Sequence, residues 1–200
     1  MMRFIFLSIL IVSWGMGGSQ ASTQEIITFG PQETKIIGSI PYSVIGRYKA
    51  EFTSFKGRII LDEDTRQIQS VYLEIDAKSI KSNHPLYDRL ARSRRLLNTV
   101  RFPKIIFRSD EIVQDKNGYR VKGILEMHGI KRRMTFPFKV GIVIDQGTKQ
   151  RLLDIQGNWS INRKRFNIVW NRLLDRGGIV VGDYFTVNWG IKVYLTMEGH

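Results

Sequence analysis

The sequence predicts an all-β protein: antiparallel strands that stack as two sheets or close into a small barrel of about eight strands, with one short capping helix. Three observations carry that expectation. Apolar residues recur at every second position through most of the chain, clusters of turn-forming residues separate these runs, and a single Arg- and Leu-rich segment breaks the alternation.

Successive side chains of a strand point to opposite faces, so a period of two marks a strand with one apolar face. Tyr119, Val121, Gly123, Leu125 and Met127 alternate with Arg120, Lys122 and Glu126. Met134, Phe136, Phe138, Val140, Ile142 and Ile144 form a second run, and Leu153, Ile155, Gly157, Trp159 and Ile161 a third. Phe185, Val187, Trp189, Ile191, Val193 and Leu195 form a fourth. Val71, Leu73 and Ile75, and Ile105 with Phe107, fit the same pattern. The turn signals are Asp62-Glu63-Asp64, Lys116-Asn117-Gly118, His128-Gly129 and Asp145-Gln146-Gly147. Short turns join antiparallel neighbours. Stretches 47–61 and 134–145 each read as one strand, longer than the usual five or six residues or so.

The exception lies within residues 79–97. After Pro85, Leu86, Leu90, Leu96 and Leu97 are loosely spaced for one helical face, which predicts a helix over 86–95 capping one end of the barrel. No repeat, low-complexity linker or second domain interrupts the chain.

The 200 residues are 42% hydrophobic and 24% charged, a globular balance. With no cysteine there is no disulfide, thiolate metal site or cysteine nucleophile. The N-terminus has the order of a secretory signal: Arg3, the uncharged run Phe4 to Val12, then small residues ending Ser19-Gln20-Ala21. Cleavage after Ala21 leaves residues 22–200 as one exported, periplasmic domain. The uncharged run is too short to span a bilayer core of roughly 30 Å.

The net charge is +13. Basic residues cluster at Arg89, Arg92, Arg94 and Arg95, at Lys131-Arg132-Arg133 and at Arg163-Lys164-Arg165. Outside the cytoplasm such clusters meet anionic lipid head groups more often than nucleic acid; a solvated basic face and peripheral contact with an anionic membrane are both open. The sequence leaves the oligomeric state open, a dimer included.

Candidate chemistry is thin. His84, His128 and His200 show no metal-ligand spacing, and a structural role is expected for His128. Ser93 and Ser109 have no evident base. Asp88 and Asp183 read as helix-start or turn carboxylates, ion-paired with Arg. No catalytic residue, metal or cofactor is expected.

Several stretches, in order, resemble the YceI-like proteins, a polyisoprenoid- or lipid-binding family. Residues 52–59, FTSFKGRI, are similar to the family's G-x-F-x-x-F-x-G-x-I strand. Residues 70–80, SVYLEIDAKSI, resemble its S-V-x-x-x-I-x-x-x-S-I run, and 101–109, RFPKIIFRS, its Y-P-x-I-x-F-x-S strand. Residues 119–132, YRVKGILEMHGIKR, resemble its Y-x-V-x-G-x-L-T-I-H-G-V-T-K hairpin, and Ile161-Asn162-Arg163 and Val181-Gly182-Asp183 its I-x-R and V-G-D markers. The chain departs from the pattern in 34–42, which lacks the family's early His. Leu90 replaces the helix His and Arg95 the helix acidic residue, and Arg165 and Asn167 stand in the I-x-R-x-D-F-G marker.

The resemblance implies an extended, antiparallel, lipocalin-like β-barrel that binds a long isoprenoid chain in its interior, with a periplasmic address and no enzymatic activity. The alternatives are a periplasmic, stress-related barrel enzyme acting on an apolar substrate and an integral outer-membrane barrel. The tail Thr196 to His200 lacks the terminal aromatic of the latter.

Physical reasoning places the lipid against inward aromatics and aliphatics. The expected cavity lining is Phe52, Phe55, Leu73, Ile75, Ile105, Phe107, Val121, Gly123, Leu125, Phe136, Phe138, Gly157, Trp159, Val187 and Trp189. Phe107, Leu125, Phe136 and Trp189 are expected to share one interior. Gly123 and Gly157 are expected to supply room, so that Gly123→Phe would block the ligand and leave the barrel folded.

Overall fold

A computed structural model describes residues 24–42, 46–62, 65, 67–116, 118–170 and 181–194. The expected signal peptide, residues 1–21, and the tail 195–200 lie outside them.

Eleven strands form one antiparallel sheet among the described residues. They are β1 (Gln24–Phe29), β2 (Lys35–Tyr42), β3 (Gly46–Phe52), β4 (Phe55–Asp62), β5 (Ile68–Asp76), β6 (Ile80–Lys81), β7 (Lys104–Asp115), β8 (Gly118–Met127), β9 (Ile130–Ile144), β10 (Arg151–Asn162) and β11 (Tyr184–Tyr194). Their order across the sheet is β1-β4-β5-β7-β8-β9-β10-β11-β2-β3-β6. The sheet curls into a lipocalin-like barrel wall.

The strand count exceeds the expected eight or so. One reason is that 47–61 is not one strand. It bends at Thr53 and Ser54, and the two halves take different partners: β3 lies between β2 and β6, β4 between β1 and β5. This corner carries the chain from one end of the ladder to the other. Two backbone hydrogen bonds tie it to the turn after β5, Asp76 N–H to Ser54 O (3.0 Å) and Thr53 N–H to Ser79 O (3.3 Å).

Helix α1 (Pro85–Arg92) is shorter than the sequence suggests. Pro85 opens it, where a missing N–H costs nothing. It stops at Ser93, whose hydroxyl donates to Leu90 O (2.7 Å), and the Leu97 N–H returns to Ala91 O (2.9 Å).

The β8–β9 connection is His128-Gly129, with φ of 53° and 73°. Two consecutive positive φ values make the type I′ turn whose twist matches that of the flanking strands. The inner faces of the strands carry the core, including Phe107, Phe136, Ile155 and Trp159. Charge lies on the outer wall, as in the pairs Lys56–Glu74, Lys122–Glu111 and Arg133–Asp110. That polarity is the reverse of a membrane-spanning barrel, which turns an apolar band outward.

Candidate ligand cavity

The register brings predicted lining residues face to face. Leu73 pairs with Phe107 and Phe107 with Leu125; Ile75 pairs with Ile105, Val121 with Phe136, and Trp159 with Val187. Paired residues on one face approach within about 5.5 Å, so alternation along each strand becomes a continuous wall across the sheet.

Inside this wall is a cavity of about 190 Å³. Phe52, Leu73, Ile75, Ile105, Phe107, Val121, Leu125, Phe136, Phe138, Trp159, Val187 and Trp189 all line it. Their rings form a row across the strands: Phe107 lies 5.7 Å from Phe136, Phe136 stacks on Trp159 at 4.2 Å, and Trp159 meets Trp189 edge-on at 5.2 Å. A water needs two to four polar partners, so a void walled this way stays dry.

Three polar groups of the wall are already engaged. The Thr34 hydroxyl donates to Gly190 O, and Tyr48 donates to the Asp88 carboxylate at 2.8 Å. The Trp159 indole N–H donates to Pro137 O at 2.9 Å. Trp189 Nε1 is buried without an acceptor among the described residues.

Three expected lining residues do not face the void. A Cβ on Gly123 would lie 2.2 Å from Arg108 O and 2.7 Å from Ser109 Cα. Strand β7 shifts register between Ser109 and Glu111, and Gly123 opposes Ser109 beside that bulge. The glycine therefore admits the neighbouring backbone, not a ligand. Gly123→Phe would break strand pairing and report nothing about the cavity.

Gly157 is likewise filled: its Cβ would fall 2.4 Å from Trp189 Nε1. Phe55 is buried, but it faces a groove shared with Phe29, Gly57 and Tyr72. The Phe29 ring covers Gly57, 1.9 Å from where its Cβ would stand.

Sequence reasoning missed Leu96, Leu97, Ile168 and Val181, which line the cavity at the α1 end. They sit outside the strands, where no period of two marks an inward side chain.

Arg163, part of a basic cluster in the sequence, is not on the surface. The side chain is 2% exposed. Among the described residues its guanidinium donates to four carbonyls: Gly182 (2.8 Å), Ile168 (2.5 Å), Trp170 (3.1 Å) and Val181 (3.0 Å). Asp183 lies 3.8 Å away and pairs with Lys164 at 2.7 Å. Arg163 thus pins segment 163–170 to 181–183. The I-x-R marker was the signal that set it apart from Lys164 and Arg165.

Asp88, on α1, is buried, and among the described residues its close partners are hydrogen-bond donors, with the Arg92 charge as a further, weaker support. It accepts from Ser82 N–H (3.0 Å), Ser82 Oγ (2.6 Å) and Tyr48. Burial disfavours its charge, but these hydrogen bonds outweigh burial and hold its pKa below the ordinary value. Burial, then the Asp88 carboxylate, push the Tyr48 hydroxyl well above its usual range, so it remains a donor.

His128 has the structural place expected of it. Its Nδ1 lies 3.1 Å from Phe166 O and its ring packs on Phe102 at 4.5 Å. Nε2 is buried, and burial lowers the imidazole pKa. Ser109 Oγ accepts from Val71 N–H at 2.7 Å. Among the described residues no three His, Cys, Asp or Glu side chains gather as a metal site.

A curled antiparallel wall around a dry apolar void defines a lipocalin-like barrel. The chain belongs to the YceI-like family, whose domain model matches residues 28–193. A UPF0312 protein of Yersinia enterocolitica is 29% identical over 117 residues, covering 58% of this chain and 61% of the relative. The chain thus spans less than two thirds of the length of the curated relatives it matches.

Solved structures share the fold. Burkholderia cenocepacia BcnA superposes with a TM-score of 0.67 at 19% identity, over 81% of this chain and 97% of that one. A YceI protein of Campylobacter jejuni gives 0.61 at 13%, over 76% and 88%. A polyisoprenoid-binding domain from Saccharophagus degradans, implicated in plant cell wall breakdown, gives 0.59 at 11%, over 86% and 98%.

Proposed function

We propose that this chain binds an isoprenoid-type lipid in its barrel cavity, as a carrier and without catalysis, in the periplasm. The observation that carries the reading is the void of about 190 Å³ walled by aromatic and aliphatic side chains from most of the strands. An engineered apolar cavity of about 150 Å³ stays dry and takes benzene. This one is larger and takes a branched prenyl unit by the same physics.

Each buried methylene contributes roughly 0.8 kcal/mol, so affinity needs shape and dryness and no particular polar group. A longer chain extends toward α1, where Leu96, Leu97, Phe185 and Val187 are only partly buried. The family membership and the polyisoprenoid-binding fold neighbour support the same ligand class. The absence of catalysis is supported by the engagement of Asp88, His128 and Arg163 in holding the fold. The periplasmic address rests on the signal-like residues 1–21.

Native mass spectrometry of protein purified from its own host, followed by lipid extraction, tests the reading. The expected result is a mass increment that extracts as a prenyl lipid. Protein that carries none, and whose tryptophan emission does not respond to added geranylgeraniol, overturns it.

A further inference from the structure

Three basic clusters lie far apart in sequence, yet the fold gathers them at one end of the barrel. Arg95 lies over the Trp170 ring at 6.0 Å, which joins the segment after α1 to residues 168–170. Phe102 packs on His128, and His128 reaches Phe166 O. Arg132 Nε donates to Arg165 O at 3.1 Å, joining the β8–β9 hairpin to the turn after β10. Arg89, Arg94, Arg95, Arg101, Lys131, Arg132, Lys164 and Arg165 are all exposed on this end.

The carboxylates here are occupied. Asp88 is buried in its hydrogen bonds, Glu126 pairs with Lys131 at 3.7 Å and Asp183 with Lys164 at 2.7 Å.

The same end carries apolar side chains in solvent: Val100 is 94% exposed, Leu86 72% and Val169 58%. Surface aliphatics are ordinary singly. Here they stand among arginines, on segments whose other residues, Ala91, Leu96, Leu97 and Ile168, line the cavity.

We infer that the α1 end is a docking face for an anionic lipid bilayer. Guanidinium groups meet phosphate head groups, while Val100, Leu86 and Val169 enter the boundary with the acyl chains. Docked this way, the end of the cavity faces the membrane. Nucleic acid also attracts such charge, but it has no use for protruding aliphatics, so the bilayer is the partner that fits both features.

The docking face does not depend on what fills the cavity. The test is co-sedimentation of the full chain with vesicles of phosphatidylglycerol and phosphatidylcholine, and with phosphatidylcholine alone. Binding to the anionic vesicles, weakened by salt, is expected. Arg89→Glu with Arg94→Glu should weaken it by at least tenfold, since each cation near such a surface contributes about a fivefold factor.

Val100→Asp and Leu86→Asp should weaken binding severalfold, with circular dichroism unchanged. Lys116→Glu with Arg151→Glu, on hairpins at the opposite end, should leave it unaltered.

The inference is overturned if the far-end pair weakens binding as much as the α1-end pair. It is also overturned if Val100→Asp and Leu86→Asp change nothing while duplex DNA competes fully, because the surface is then a general polyanion site. A cavity-filling variant, Leu73→Trp, separates the two readings. Loss of lipid with vesicle binding intact leaves docking standing, and retained lipid with no vesicle binding removes docking alone.

Discussion

The Phe136 and Trp159 rings stack at 4.2 Å with 9° between their planes, and the Trp159 indole N–H is fixed to Pro137 O on the next strand. Stacking and hydrogen bond together lock β9 to β10 through the floor of the cavity. Trp159→Ala should cost about 3–5 kcal/mol in urea denaturation, the range for emptying a buried aromatic. The near-ultraviolet circular dichroism of the stacked pair should vanish with it.

Leu73 and Val187 line the void and are only partly buried, so added volume there enters empty space. Leu73→Trp should fold, at a cost of about 1–3 kcal/mol or less. The purified variant should carry no lipid by mass spectrometry.

The two covered glycines, Gly123 and Gly157, should behave differently. Gly123→Ala drives a methyl into the Arg108–Ser109 backbone, which cannot swing aside. A loss above the ~1 kcal/mol typical of point mutants is expected in thermal melts. The nearest atoms to a Gly157→Ala methyl belong to the Trp189 indole. This substitution should cost less and instead move the tryptophan emission, because the ring must turn into the cavity.

Among the described residues Arg163 satisfies four backbone carbonyls from a site 2% exposed. Arg163→Met leaves those acceptors unpaired and should cost about 3 kcal/mol or more. Arg163→Lys should rescue little, since an ammonium lacks the planar fork. Hydrogen exchange at Ile168 and Gly182 should rise in both variants.

His128 makes stability pH-dependent. Burial lowers its pKa in the folded chain, so the unfolded chain takes up a proton first as pH falls. Its contribution is therefore constant above about pH 6.5 and declines as pH drops from there through the folded value. Urea midpoints at descending pH should show that loss. His128→Asn, which tolerates the positive φ, should flatten it.

The walls were legible in the sequence because a strand converts one-dimensional alternation into two faces. Twelve of the fifteen expected lining residues stand on the wall of the void for that reason. The three misplacements came from local features that alternation does not encode. Gly123 lies beside a bulge, Gly157 under an indole from the next strand, and Phe55 just past the corner at Thr53 and Ser54. The convergence of the basic clusters was illegible for a different reason. It depends on which turns share one end of the barrel, a property of strand order.

The turn at His128 and Gly129 decides more than a change of direction. It sets Val121 opposite Phe136 and Tyr119 opposite Phe138. A slip of one position there sends Phe136 and Phe138 into water and brings Thr135 and Pro137 inside. Two residues with positive φ therefore settle which way the aromatic floor looks, and a single insertion between Met127 and Ile130 would turn this part of the barrel inside out.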